Sequence, residues 1–183
     1  GVFPGFVGSR AQARGLRLRH ASTTSIAPTG TLSILADCSS GIEPYFALAF
    51  VRHVLDGARL PETNPRFEAA LRQAGAWSED LVAELRATGS ARGIRGVPER
   101  LRRLFPTASD IPPEAHLAVQ EAFQRHVDNA VSKTINLPAD ATPADVREIY
   151  RSAWRRGLKG VTVFREGSKG RAVLVRGSGG IEL

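Results

Sequence analysis

Residues 26–44 read Ile-Ala-Pro-Thr-Gly-Thr-Leu-Ser-Ile-Leu-Ala-Asp-Cys-Ser-Ser-Gly-Ile-Glu-Pro, and the step Pro28-Thr29-Gly30-Thr31 inside them is the stretch best suited to chemistry. A chain that breaks at a proline and then enters a helix exposes backbone N–H groups without an intrahelical acceptor, and the helix dipole adds partial positive charge there. Gly30 permits close approach of a ligand to the backbone, and the hydroxyls of Thr29, Thr31 and Ser33 can donate further hydrogen bonds. The chemistry on offer is the binding of a phosphate-like anion. A second reading stays open on these residues alone, in which Thr29 or Thr31 merely caps the helix. No Walker pattern occurs in the chain.

Other reactive residue types are sparse. Cys38 is the single cysteine, so an internal disulfide and a cysteine-rich metal site within this chain are excluded, in keeping with a reducing compartment. It is expected to be a small packed residue near the end of a short helix. Glu43 is either a buried acid or a hydrogen-bond partner organising its loop, and the structural role is expected because no base stands near it in sequence. His116 and His126 fall on one predicted helix without the i, i+4 spacing that places two ligands on one metal, which makes them surface or packing residues. Lys133 points either toward a substrate or toward solvent.

The elements that must position these residues alternate in type. Ser22–Ala27 is rich in β-branched residues and stops at Pro28, as a strand does before a turn. Thr31–Ala36 reads as a short helix, and Tyr45–Val51 as an apolar strand covered on both faces. A helical block follows, with starts at Asn64-Pro65, Ser78 and Pro98 and a stop near Gly89. A longer helix is expected from Pro113 to about Asn129, with Leu117, Ala118, Ala122 and Phe123 on its apolar face. Lys133–Leu137 reads as a strand. Thr142-Pro143-Ala144-Asp145 opens a helix with an inner stripe of Val146, Ile149, Tyr150, Ala153 and Trp154 that ends at Gly157. Gly160–Arg165 is the last strand, and the Gly-rich tail beyond it is expected to fray.

The result is a mixed α/β chain with about four strands, two of them doubly covered, which calls for a larger sheet than this chain completes alone. Gly1 is not a natural start and the tail stops abruptly, so a fragment is expected. A hydrophobic content of 42% with 23% charged residues places the chain among ordinary globular proteins. No apolar run approaches the roughly 20 residues of a spanning helix, and the N-terminus lacks a signal-peptide core, so a soluble, cytoplasmic protein without a membrane partner is expected. The net charge of +7 raises the alternative of a non-catalytic basic module that binds anions or nucleic acid. Against it, all but three of the 25 basic residues are Arg spread along the whole length, and the densest cluster, residues 92–103, has no interleaved aromatics or nucleic-acid motif.

Three blocks carry a family resemblance: TTSIAPTGTLSILADCSSGIEPYFALAF, DNAVSKTINLPADAT and WRRGLKGVTVFREGSK. Their identity, order and separation, from about Arg17 to Lys169, resemble the C-terminal part of the catalytic subunit of class II, adenosylcobalamin-dependent ribonucleotide reductases. The cobalamin class is favoured over the oxygen-dependent class because the last strand reads KGVTVFREGS.

The resemblance implies a fold, the C-terminal portion of a ten-stranded α/β barrel built from two half-barrels and incomplete in this chain. Residues 1–169 would be that barrel segment and 170–183 a flexible tail. It also implies that Pro28, Thr29, Gly30, Thr31 and Leu32 bind the phosphates of a ribonucleoside di- or triphosphate. The implied partners of the intact enzyme are adenosylcobalamin, the missing N-terminal portion, a thioredoxin-type reductant and a second copy of the same chain. The family reaction needs a radical-carrying cysteine in an Asn-x-Cys-x-Glu loop and two further cysteines as electron donors. Cys38 matches none of these, so no catalytic residue and no metal ligand is assigned here, and the chain alone is expected to be inactive.

Overall fold

The computed structural model describes residues 1–53, 59–168 and 174–175. The N-terminal part holds helices α1 (Arg10–Ala13) and α2 (Gly30–Ala36), strands β1 (Ala49–His53) and β2 (Arg59–Thr63), and helices α3 (Pro65–Gln73), α4 (Glu79–Thr88) and α5 (Glu99–Leu104). After a 3₁₀ turn at Ala108–Asp110 come α6 (Pro113–Gln124), β3 (Thr134–Leu137), α7 (Pro143–Arg155), β4 (Thr162–Arg165) and β5 (Leu174–Val175).

The strand expected over Ser22–Ala27 is reduced to a single parallel bridge between Ile26 and Val131. A side chain has taken the place of a neighbouring strand. The Asp128 carboxylate accepts the N–H groups of Thr23 (2.8 Å) and Thr24 (3.2 Å) together with both hydroxyls. The carbonyls of Thr24 and Ile26 accept from Asn129 (3.0 Å) and Ser132 (2.8 Å), so the extended segment still runs beside residues 129–132.

The apolar run at Tyr45–Val51 becomes strand only from Ala49. Before that point the backbone is engaged elsewhere. Leu48 N–H donates to the Gly89 carbonyl at the end of α4 (2.7 Å), and the Leu48 carbonyl accepts from Asn64 N–H at the start of α3 (2.8 Å). β1 pairs antiparallel with β2 and with β5 in the order β2-β1-β5. β2, which contains Pro61, has no counterpart in the sequence reading. The proline is tolerated since β2 is the edge strand of this sheet among the described residues.

The expected helix starts are present, and those of α3, α4 and α7 carry side-chain caps, while α5 and α6 start at prolines without one. Asn64 Oδ1 accepts from the N–H groups of Arg66 and Phe67, both at 3.1 Å. Ser78 Oγ accepts from Leu81 N–H, and Thr142 and Asp145 form a reciprocal capping box at α7. α6 is shorter than expected and ends at Gln124, whose side-chain amide donates to the carbonyls of Val127 (3.1 Å) and Asn129 (2.8 Å) and holds the chain in a turn. Its buried face is His116, Leu117 and Gln120; of the expected apolar face only Leu117 is buried, while Ala118, Ala122 and Phe123 are exposed. α7 buries Ile149 and Ala153, but Tyr150 and Trp154 of the expected stripe are exposed.

Two apolar clusters result. One joins β1 to the helical block through Leu48, Phe67, Leu71, Leu85, Ile94 and Leu101. The other packs Leu117, Ile149 and Ala153 against Ile135 and Leu137. β3 and β4 pair in parallel with α7 as the crossover, from Thr134 opposite Thr162 to Leu137 opposite Arg165. Among the described residues the strands form one antiparallel sheet and one parallel pair, and they do not close into a barrel. The tail expected over 170–183 lies outside the described residues apart from Leu174 and Val175, which pair with β1.

Candidate functional site

The Pro28 turn lies at the surface where the extended segment gives way to α2, with Pro28, Gly30, Thr31 and Leu32 exposed and Thr29 half-buried. Thr29 adopts φ 54° and ψ 33°, a left-handed conformation that a β-branched residue rarely enters. Holding such a residue there costs on the order of 1–3 kcal/mol. Its carbonyl accepts from Ser33 N–H (2.9 Å), which starts the helix. The N–H groups of Gly30, Thr31 and Leu32 therefore precede the first intrahelical donor. A Cβ built on Gly30 would meet nothing within 4 Å, so the approach to this backbone is open. The capping alternative is not realised: Thr29 occupies the cap position but makes no side-chain cap bond, and Thr31 lies inside the helix.

Thr29 Oγ1 instead accepts from Gly41 N–H (2.8 Å), across the loop that follows α2. A hydroxyl has one donor and two acceptor sites, so this contact leaves the Thr29 O–H available to donate. Gly41 has φ 51°, and a Cβ there would come within 2.9 Å of the Ala27 carbonyl oxygen. Only glycine fits at that crossing. Ser33 Oγ donates to the Gly30 carbonyl (2.6 Å), which uses its hydroxyl hydrogen within the helix. Cys38 is exposed rather than packed, because Asp37 turns the chain out of α2 with φ 48°.

Glu43 and Lys133 meet. Lys133 Nζ lies 2.6 Å from Glu43 Oε2 and donates also to the Thr134 carbonyl (2.6 Å), while Thr134 N–H donates to Glu43 Oε1. Lys133 thus does not face solvent; it is 2% exposed. Its base is the partner that Glu43 lacked locally, 90 residues away in sequence. Burial pushes the Lys133 ammonium below its ordinary value, opposed by the hydrogen bond and charge of Glu43.

His116 is buried beside this pair and His126 is exposed. His116 Nε2 lies 3.0 Å from the Ala108 carbonyl, which can only accept, so Nε2 carries the proton. Burial holds His116 below its usual value; the Ala108 bond opposes this and the Lys133 charge adds to it. Gln120 donates to the carbonyls of Val131 (2.9 Å) and Gly160 (2.8 Å), tying the segment before β3 to the approach to β4. Gly41 and the Glu43–Lys133 pairing are the parts of this region that the sequence reading missed. The only available signal was Ser-Ser-Gly-Ile-Glu-Pro, a turn pattern followed by an acid.

A family model described as "Ribonucleotide reductase, barrel domain" matches residues 9–164. The chain belongs to this family. The matched range includes the 28–32 turn, the loop carrying Glu43, and Lys133. A vitamin B12-dependent ribonucleoside-diphosphate reductase of Thermoplasma acidophilum is 47% identical over 178 residues, 97% of this chain and 23% of that protein. One of Mycobacterium tuberculosis is 49% identical over 174 residues, covering 95% of this chain and 25% of its own length. The expected resemblance to the cobalamin-dependent reductases is borne out by the names these relatives carry. A solved structure of the class Id ribonucleotide reductase alpha subunit of Actinobacillus ureae shares the fold of this reductase segment. Its TM-score is 0.70 at 22% identity, over 87% of this chain and 29% of that one. The reductase segment spans about a quarter of the length of the curated relatives it matches.

Proposed function

We propose that this chain is the substrate-phosphate-binding segment of a cobalamin-dependent ribonucleoside-diphosphate reductase, which reduces ribonucleotides to deoxyribonucleotides for DNA synthesis. Pro28, Thr29, Gly30, Thr31 and Leu32 hold the phosphates of the substrate. The observation that carries this reading is the exposed turn itself, within the family match, with three forward amides and open space over Gly30. A diphosphate is preferred to a triphosphate on the names of the relatives.

The remaining parts of the reading concern the intact enzyme. It is a ten-stranded barrel completed by an N-terminal portion. Exposed Leu32, Ile34 and Leu35 on α2 are apolar surface that such a portion would cover. Adenosylcobalamin, which supplies the radical when bound, and a thioredoxin-type reductant serve that larger protein in the cytoplasm. No residue described here is assigned to the cofactor. The described residues contain no group of three or more His, Cys, Asp and Glu able to hold a metal ion, and Cys38 stands alone at the surface. No step of the chemistry is routed through this segment; its residues bind and orient. The comparisons give no support to a basic nucleic-acid-binding module.

Calorimetric titration of the chain tests the phosphate site. A ribonucleoside diphosphate is expected to bind at least about tenfold more tightly than the same nucleoside without phosphates. A Cβ at Gly30 meets nothing within 4 Å, and Gly30→Val should remove most of that difference by occupying the approach. Equal binding of the two ligands, or an unchanged preference in Gly30→Val, would overturn the reading.

A further inference from the structure

We propose that the Glu43–Lys133 pair is a positioning couple that sets the 28–32 turn for the substrate phosphates through Gly41 and Thr29; this rests on the phosphate-turn reading above. The couple touches no ligand. Both Glu43 oxygens are committed, Oε2 to the Lys133 ammonium and Oε1 to Thr134 N–H, so the acid is anchored to the start of β3 at two points. The anchor is itself rigid, because the Lys133 side chain is 1% exposed and its ammonium is also fixed to the Thr134 carbonyl. Two residues before Glu43, Gly41 presses against the Ala27 carbonyl and gives its N–H to Thr29 Oγ1. Thr29 is the residue held at φ 54° immediately before the forward amides.

The physical need for such a device is plain. A strained left-handed threonine persists only where its surroundings over-determine it. Within α2 the Thr29 carbonyl has its Ser33 bond, but its side chain has no partner in the helix. The Gly41 contact supplies one, and that contact is only as fixed as the loop carrying it. Binding of a multiply charged ligand by unpaired amides depends on their being aimed beforehand, since ordering them on binding would reduce affinity.

The test is a double-mutant cycle on ribonucleoside diphosphate affinity, measured calorimetrically on this chain with Glu43→Gln, Thr29→Val and the two together. Glu43→Gln removes the negative charge and turns an amide NH2 on one of the two donors, the Lys133 ammonium or Thr134 N–H, and Thr29→Val removes the acceptor of Gly41 N–H at nearly constant shape. Each single change is expected to weaken binding about five- to tenfold, and Glu43→Gln to add less than about twofold in the Thr29→Val background. Equal factors in both backgrounds, or no effect of Glu43→Gln while Gly30→Val still weakens binding, would overturn the couple and leave the phosphate site standing. No effect of Gly30→Val would remove the phosphate site and the couple with it. Because Glu43→Gln leaves a buried ammonium poorly paired, the apolar pair Glu43→Leu/Lys133→Met serves as the fold control. It should unfold near the wild-type temperature yet bind about as weakly as Glu43→Gln; affinity that returns with stability would mean that the pair supports the fold and positions nothing.

Discussion

Thr29 and Lys133 each occupy a state that an isolated residue avoids, one a left-handed backbone and the other a buried ammonium, and both lie on the path that ends at the Gly30 amide. His116 joins them as a third such residue. Its imidazole is held neutral by burial and by the nearby Lys133 charge, below its ordinary 6.5. The sign follows directly. As pH falls below about 6.5 the unfolded chain takes up a proton that the folded chain refuses, so stability declines until the lowered folded value is passed. Urea-unfolding midpoints between about pH 5 and 8 should show this decline. His116→Gln, which can still donate to the Ala108 carbonyl, should flatten it. The carboxyls of Glu121, Asp128 and Asp145 are held low by hydrogen bonds from Arg125, Thr23 and Thr142 respectively, and act in a separate, more acid window. Their contribution is present above the ordinary carboxylate range and is lost as pH falls through the depressed values.

Among the elements, α3 and α4 of the helical block are started by their caps. Asn64 is buried, satisfies two N–H groups at the start of α3, and donates its own N–H to Leu48. Asn64→Ala should destabilise the chain by about 1–2 kcal/mol, at the upper end for an N-cap because no water replaces the lost acceptor. Chemical denaturation would show it as a lower midpoint at unchanged slope. These caps were legible because a cap is a local exchange between a side chain and an amide two or three residues on. The extended segment before Pro28 was not legible in the same way. Its β-branched residues favour a strand, but the Asp128 carboxylate, more than a hundred residues away, competes for the same N–H groups. Nor was the exposure of Tyr150 and Trp154. Helical spacing places them beside Ile149 and Ala153, while the width of the buried stripe depends on what packs there.

At the scale of the whole molecule, the chain is about a quarter the length of its relatives, and the proposed binding turn and its supports lie within it. Its single Cys cannot serve as radical carrier and dithiol together. Incubation of this chain with adenosylcobalamin, a dithiol and a ribonucleoside diphosphate should therefore give no deoxyribonucleotide by chromatography, and measurable turnover would overturn that expectation. Among the described residues, several arginines are engaged within the fold. Arg72, Arg102 and Arg155 each pair with a glutamate on their own helix, Arg125 at the end of α6 pairs with Glu121, and Arg92 reaches the Asp110 carbonyl. The amino-acid order alone determined the family, the helix starts, the β3 and β4 strands and the place of the Pro28 turn, because these depend on residues close together in the chain. Tertiary structure alone decided that Glu43 would meet Lys133, that Gly41 would hold Thr29, and that His116 would be buried beside the pair. Those contacts join residues up to 90 positions apart, and burial turns a lysine that sequence leaves free to face solvent into a fixed internal anchor.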